Sequence, residues 1–166
     1  VGDLLTVART DGKANQLRLV RMDLVSAAQQ TVRIMRPFAE KKDIVIDEEM
    51  PKHAEIYADE QKIRQLILIL VDNAVKYTPE HGRISLRVEE EKGSIQLSVS
   101  DTGIGIASEH QERIFDRFYQ GPQRSEGSTG LGLSIVRAIA RLYAIDVRYA
   151  FTADGLHTFT LQFPPS

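Results

Sequence analysis

The stretch from Asp59 to Tyr77 limits the possible folds of this chain more than any other. Turning about 100° per residue, it sets Ile63, Leu66, Ile67, Leu70 and Ala74 on one side and Leu68, Val71 and Val75 on the next. A helix that is apolar over most of its circumference is buried between layers. Asp59 is its expected N-cap. One strip stays polar: Gln65, Asp72, Asn73 and Lys76, with Tyr77 beside it. Buried polar groups must find partners, so this strip faces either neighbouring loops or a polar ligand; the second reading is favoured here.

The remaining elements supply the layers around that helix. Gln16 to Met22 can pair as a strand, and Asp23 is a plausible N-cap for a helix from Leu24 to about Lys41. Its apolar positions Val25, Ala28, Val32, Met35 and Ala39 keep the three-four spacing of one buried stripe. Pro37 should bend that helix or thin its last turns. Ile44 and Ile46 alternate in a short strand, and Ala54 to Ala58 form another. Ile84, Leu86 and Val88 alternate with polar residues, Glu91-Lys92-Gly93-Ser94 makes a turn, and Ile95, Leu97 and Val99 alternate again. Val147, Tyr149 and Phe151 pair with Phe159, Leu161 and Phe163 across Ala153-Asp154-Gly155. Strict alternation gives each strand one covered and one wetter face, the habit of antiparallel sheets. Helices 24–41, 59–77 and 132–143 would cover the apolar face, a two-layer α+β sandwich in one domain.

Two glycine-rich stretches flank the sheet-to-helix connections. Ser100-Asp101-Thr102-Gly103-Ile104-Gly105-Ile106 follows the strand Ser94 to Ser100, and Gly127-Ser128-Thr129-Gly130-Leu131-Gly132-Leu133-Ser134 opens the last helix. Glycines at such spacing let backbone pass close to something flat or tightly curved. Together with Asp72-Asn73-Ala74-Val75-Lys76-Tyr77-Thr78, these stretches resemble, in order, the N, G1 and G2 boxes of the histidine-kinase, gyrase and Hsp90 type of ATP-binding domain. Within that superfamily the chain most resembles the catalytic domain of bacterial sensor histidine kinases. The segment Ile114-Phe115-Asp116-Arg117-Phe118-Tyr119 resembles the F box. The resemblance covers residues 16–164 and implies a Bergerat-type α/β sandwich, with a mixed, mostly antiparallel sheet covered on one face by three helices. It also implies that residues 1–15 are the end of a dimerisation-hairpin helix and its linker, that 16–166 are the ATP-binding domain, and that a lid spans about 107–128. Residues 3–10, with apolar positions 4, 5, 7 and 8, match the last turns of such a helix; a frayed terminal helix fits equally. Val1 in place of an initiator Met leads us to expect a fragment of a longer protein.

The resemblance assigns ATP and Mg2+ as cofactors and distributes their contacts. The residue matching Asn73 binds the metal, for which a neutral amide oxygen is a suitable hard ligand when phosphates and water supply the rest. Lys76, one turn on, can reach a phosphate as a point charge. Asp101 binds adenine: a buried carboxylate accepts from its exocyclic amino group and repels the carbonyl oxygen of guanine. Opposing such a bond costs on the order of 1–3 kcal/mol. Gly103 and Gly105 let the purine approach, with Ile104, Ile106 and the Tyr77 ring as flat apolar walls. The glycine box, Thr129, Gly130, Leu131, Gly132 and Leu133, offers amides at a helix N-terminus, which favour anions. Phe118 belongs to the lid, whose Arg117 and Arg124 could close over the β- and γ-phosphates. The expected partners are ATP, a dimerisation domain carrying the phosphoacceptor histidine, and a response regulator. The parent is expected to be a homodimer in the bacterial inner membrane with this domain on the cytoplasmic side, and the fragment itself a monomer.

Four positions depart from the commoner pattern: Ile69 where a second Asn is frequent, Ser128 for a Gly, Ala144-Ile145 for a Gly-Gly turn, and His157 near a usual Gly-Thr pair. Gyrase-like and Hsp90-like ATPases carry a water-activating carboxylate at the position of Ile69, which cannot act as a base. Weak hydrolysis and transfer to another group are the expectation. None of His53, His81, His110 and His157 has the context of a phosphoacceptor or a metal-ligand spacing, and each is read as an ordinary surface or loop residue. The alternatives are a serine kinase of the anti-sigma-factor type and a degenerate interaction domain.

Composition closes off other classes. With 166 residues, 42% hydrophobic and a net charge of −2, the chain has material for one core and no basic field for nucleic acid. It has no cysteine, hence no disulfide or thiolate chemistry. No Gly-x-x-x-x-Gly-Lys-[Ser/Thr] occurs, so it is not a P-loop protein. The longest apolar run, Leu66 to Val71, is too short to cross a bilayer.

Overall fold

In the computed structural model, residues 19–103, 132–151 and 156–165 are described. The expected helix at 3–10, the lid with its aromatic segment, and Ile104, Gly105, Ile106, Arg117, Phe118, Arg124, Thr129, Gly130 and Leu131 lie outside them, as does the turn at 153–155. The described elements are β1 (Val20–Asp23), α1 (Leu24–Glu40), β2 (Val45–Glu49), β3 (Glu55–Ala58), α2 (Glu60–Tyr77), β4 (Arg83–Glu91), β5 (Ser94–Asp101), α3 (Gly132–Leu142), β6 (Asp146–Phe151) and β7 (His157–Phe163).

Five strands form one sheet in the order β2-β4-β5-β7-β6, and β1 and β3 pair separately. β2 runs parallel to β4; the β4–β5, β5–β7 and β6–β7 pairs are antiparallel. The sheet is therefore mixed and mostly antiparallel, as expected. A two-residue connection, Lys92-Gly93, joins β4 to β5, and both residues have positive φ, 52° and 80°. That is the backbone sense that matches the twist of a tight hairpin. Ile84, Leu86 and Val88 from β4, Ile95, Leu97 and Val99 from β5, and Phe159, Leu161 and Phe163 from β7 are buried on one face. The opposite face of β5 and β7 is polar, with Ser100 and Thr158 hydroxyls 2.9 Å apart and Gln162 donating to Ser94 at 3.2 Å.

The three helices pack in the order α1-α2-α3, with α2 central. Its buried residues are Ile63, Leu66, Ile67, Leu70, Val71, Ala74 and Val75, so two sides of this helix are covered, as its pattern requires. α1 buries the expected stripe and runs through Pro37 for one more turn. Pro37 and Arg33 both face solvent, so the Arg33 carbonyl that loses its helical donor is open to water. The helix closes on bonds from Lys41 N and Lys42 N to the Pro37 and Ala39 carbonyls, 3.3 and 3.0 Å.

Asp23 ties the small sheet to α1. Its Oδ1 accepts from Val25 N at 3.1 Å and from Ala54 N at 2.9 Å, and Oδ2 lies 3.1 Å from His53 Nδ1. Burial by itself would raise its pKa, but the Ala54 amide, His53 and the Val25 amide together hold it below the ordinary carboxylate value. A lowered native pKa stabilises the fold above the unfolded value, and the benefit is lost as pH falls through the native one. Asp23→Ala is expected to cost about 1–2 kcal/mol at neutral pH by urea denaturation. The difference from the unsubstituted chain should shrink below about pH 4.

Two expectations are corrected at the β6–β7 hairpin. Phe151 keeps the row of Val147 and Tyr149 but is not covered: it is 62% exposed and lies opposite His157, while Val147 and Tyr149 oppose Leu161 and Phe159. Phe163 pairs instead with Ile95 of β5. His157 is not a surface residue: at 9% exposure it begins the buried row of β7. An imidazole can fill that place because a hydroxyl from the neighbouring strand satisfies one ring nitrogen.

Candidate functional site

The site is assembled around the last two turns of α2. Asp59 caps the helix, its Oδ1 accepting from Gln61 N and Lys62 N at 3.0 and 3.3 Å, which fixes the angular position of every residue after it. The residues Gln65, Asp72, Asn73, Lys76 and Tyr77 are each half-buried, so the polar strip sits at the rim of the core. Lys76 Nζ pairs with Asp72 Oδ2 at 3.0 Å. With both side chains more than a third exposed, the pair is worth little and can be exchanged for a better partner. The i,i+4 spacing of Asp72 and Lys76 carries that pairing in the sequence itself.

The C-terminus of α2 is held from a distance. Lys42, in the α1–β2 connection, donates from Nζ to the Val75 carbonyl at 2.8 Å and to the Lys76 carbonyl at 3.3 Å. A cation on carbonyls that have no helical donor favours the end of a helix. Sequence reasoning missed this, because nothing local links Lys42 to residues more than thirty positions later. Thr78 N donates to the Ala74 carbonyl at 3.1 Å and closes the helix.

Against this end of α2 lies the turn after β5. Thr102 is fastened to β4 by its amide to the Arg83 carbonyl at 3.1 Å and by its hydroxyl, which accepts from Arg83 N at 3.0 Å. Gly103 N donates to Asp101 Oδ1 at 2.8 Å, an Asx-type turn. A Cβ on Gly103 would stand 2.5 Å from the Tyr77 carbonyl oxygen and 2.9 Å from Asp101 Oδ1. Glycine is thus required here by the close approach of two backbones. Burial raises the pKa of Asp101; the Gly103 amide and the nearby charge of His157 oppose the rise. Oδ1 is occupied by Gly103, which leaves Oδ2 as an acceptor for a ligand.

The third wall is the start of α3. A Cβ on Gly132 would come within 3.1 Å of Ile69 Cγ2, so the helix opening packs against α2 one turn before Asn73. Leu133 lies partly buried against the core. Asn73, Lys76, Tyr77, Asp101, Gly103, Gly132 and Leu133 are accordingly gathered round one region. Among the described residues no cluster of three or more His, Cys, Asp or Glu could hold a metal alone; a cation beside Asn73 would need oxygens from a ligand. No described helix is long and apolar enough to cross a membrane.

Comparison with known proteins places this arrangement. The family model of histidine kinase-, DNA gyrase B- and HSP90-like ATPases matches residues 58–166. The sensor-like histidine kinase SenX3 of Mycolicibacterium smegmatis is 32% identical over 167 residues, covering 99% of this chain and 44% of that protein. Among solved structures, the catalytic domain of histidine kinase ThkA superposes with a TM-score of 0.81 at 25% identity, covering 89% of this chain and 96% of that one. Full-length ShkA in complex with AMPPNP gives a TM-score of 0.85 at 31% identity, covering 99% and 35%. The chain spans about two fifths of the length of the curated relatives it matches.

Proposed function

The chain belongs to the histidine kinase-, DNA gyrase B- and HSP90-like ATPase family, and from that membership we propose that it holds Mg2+-ATP and gives up the γ-phosphoryl group to a histidine on a dimerisation domain. The observation that carries this reading is the half-occupied carboxylate of Asp101, one oxygen fixed by Gly103 N and the other left to accept from an adenine amino group. Tyr77 borders the purine, and Gly103 lets the base come close to the backbone. Asn73 would hold the metal through its amide oxygen, with phosphates completing the shell. Lys76 would leave Asp72 for a phosphate, which binds it as a full anion rather than a screened surface partner. Gly132 and Leu133 continue the glycine box whose amides would bind phosphate oxygens; Ile104, Gly105, Ile106, Phe118, Thr129, Gly130 and Leu131, with Arg117 and Arg124, are proposed to complete the pocket and its lid. Ile69 packs on Gly132 and has no proton to exchange, which supports transfer over hydrolysis.

ShkA, similar over 99% of this chain, is known in complex with AMPPNP, and ThkA in complex with the response regulator protein TrrA. A response regulator is therefore proposed as the downstream partner, and a homodimeric membrane sensor as the parent. The test is transfer of label from γ-labelled ATP when this chain is mixed with the parent's dimerisation hairpin. Acid-labile, base-stable label on the hairpin is the expected result, and Asn73→Ala should reduce its rate about a hundredfold or more. Acid-stable label would indicate a serine kinase. Binding of ATP without any transfer would indicate an interaction module.

A further inference from the structure

His157 occupies a place that the nucleotide reading leaves unused, and the inference drawn from it rests on that reading. In the β5–β7 ladder Asp101 and His157 are direct partners. The buried row of β5, Ile95, Leu97 and Val99, continues in step to Asp101, and His157 starts the buried row of β7. Both side chains therefore leave the sheet on the face that carries the helices, from opposed positions about 4.5–5.5 Å apart at Cβ.

The imidazole is held from the other side. Tyr149 Oη lies 2.9 Å from His157 Nδ1, the two rings are parallel within 4° at a centroid distance of 6.3 Å, and the Phe151 ring sits 4.7 Å away. The Tyr149 hydroxyl either donates to Nδ1, which places the ring's hydrogen on Nε2, or accepts from Nδ1–H; in both cases it fixes the plane of the ring. Among the described residues, Asp101 from β5 and Tyr149 from β6 are the titratable groups that face it. A carboxylate this enclosed is useful to adenine only while ionised, since a protonated oxygen would present a hydrogen to a group that itself donates.

We propose that His157 is a positioning residue for adenine recognition: fixed by Tyr149, it faces Asp101 across the strand pair and keeps that carboxylate aimed and accepting. It acts through Asp101 rather than by touching the base. A hydrogen bond to an ionised acceptor is about twice as strong as one between neutral groups, so loss of the imidazole should weaken only the bond to the exocyclic amino group.

The test compares two nucleotides by calorimetry on this chain: ATP, and purine riboside 5′-triphosphate, which lacks the amino group. His157→Phe, which refills the space beside Tyr149 and Phe151, should weaken ATP about tenfold and leave the purine analogue unchanged. Tyr149→Phe, which keeps the imidazole but frees it, should give a smaller loss with the same selectivity. Equal losses for both nucleotides, or no loss of ATP binding in either variant, would overturn the inference while the nucleotide reading stands. Failure of the unsubstituted chain to bind ATP would overturn both.

Discussion

Asp101→Asn is expected to invert the base preference of the site rather than simply to empty it. The Gly103 amide takes Oδ1 at 2.8 Å, and an asparagine keeps an oxygen for that bond. Its other terminal atom is then an amino group, which donates where Oδ2 accepted. Adenine would present a donor to a donor, at a cost on the order of 1–3 kcal/mol, so ATP should bind about ten- to a hundredfold more weakly. Inosine triphosphate, with a carbonyl oxygen at the same position, should gain relative to ATP. The same substitution should raise the melting temperature of the nucleotide-free chain at neutral pH. The native pKa of Asp101 is raised, chiefly by burial, so the folded state holds its proton more tightly than the unfolded state. Stability of the unsubstituted chain therefore falls as pH rises from the unfolded carboxylate value up to the native one, and stays reduced above it. An asparagine does not titrate and lacks that loss. Calorimetric titration with the two nucleotides and thermal melts across the acidic range read both effects; a variant that keeps its ATP affinity would refute the assignment of Asp101.

Gly103→Ala is expected to have the second-largest effect. The added methyl would lie 2.5 Å from the Tyr77 carbonyl oxygen, and backbone on both sides would have to move. Overpacking of this kind costs typically about 1–3 kcal/mol. Because the turn carries Asp101 and abuts the end of α2, ATP affinity should fall with it by at least about tenfold. Gly93→Ala supplies the contrast: nothing lies within 4 Å of its Cβ, but its φ is +80°. Strain without crowding should cost about 1 kcal/mol of stability and leave nucleotide binding unchanged. Denaturation and titration of both variants separate a fault in the site from a fault in the fold.

The frame of the molecule was legible because its signals are local or periodic. Apolar spacing on α2, alternation along β4, β5 and β7, and carboxylates at Asp23 and Asp59 each act within a few residues. The structure places them as those patterns require. Among the described residues strand β1 starts at Val20, and Asp23 serves both as its last residue and as the cap of α1; Gln16, Leu17 and Arg18 lie outside them. What could not be read was long-range. Lys42 reaches the end of α2 only because the α1–β2 connection returns beside it. His157 reads as a loop histidine until strand register sets it between Asp101 and Tyr149. Phe151 is exposed as the last residue of an edge strand, a circumstance that alternation alone does not mark. Among the candidate site residues, motif order singled out Asn73, Asp101 and Gly132, while the pairing of Lys76 with Asp72 emerged from the structure although its spacing was visible.

The most direct test is calorimetric titration of the unsubstituted chain with ATP and with GTP, each with and without Mg2+. Saturable binding of ATP, strengthened by the metal and much tighter than that of GTP, is the predicted result. Equal affinity for the two nucleotides, or no heat of binding with either at millimolar concentration, would contradict the placement of an adenine nucleotide between Asp101 and Asn73.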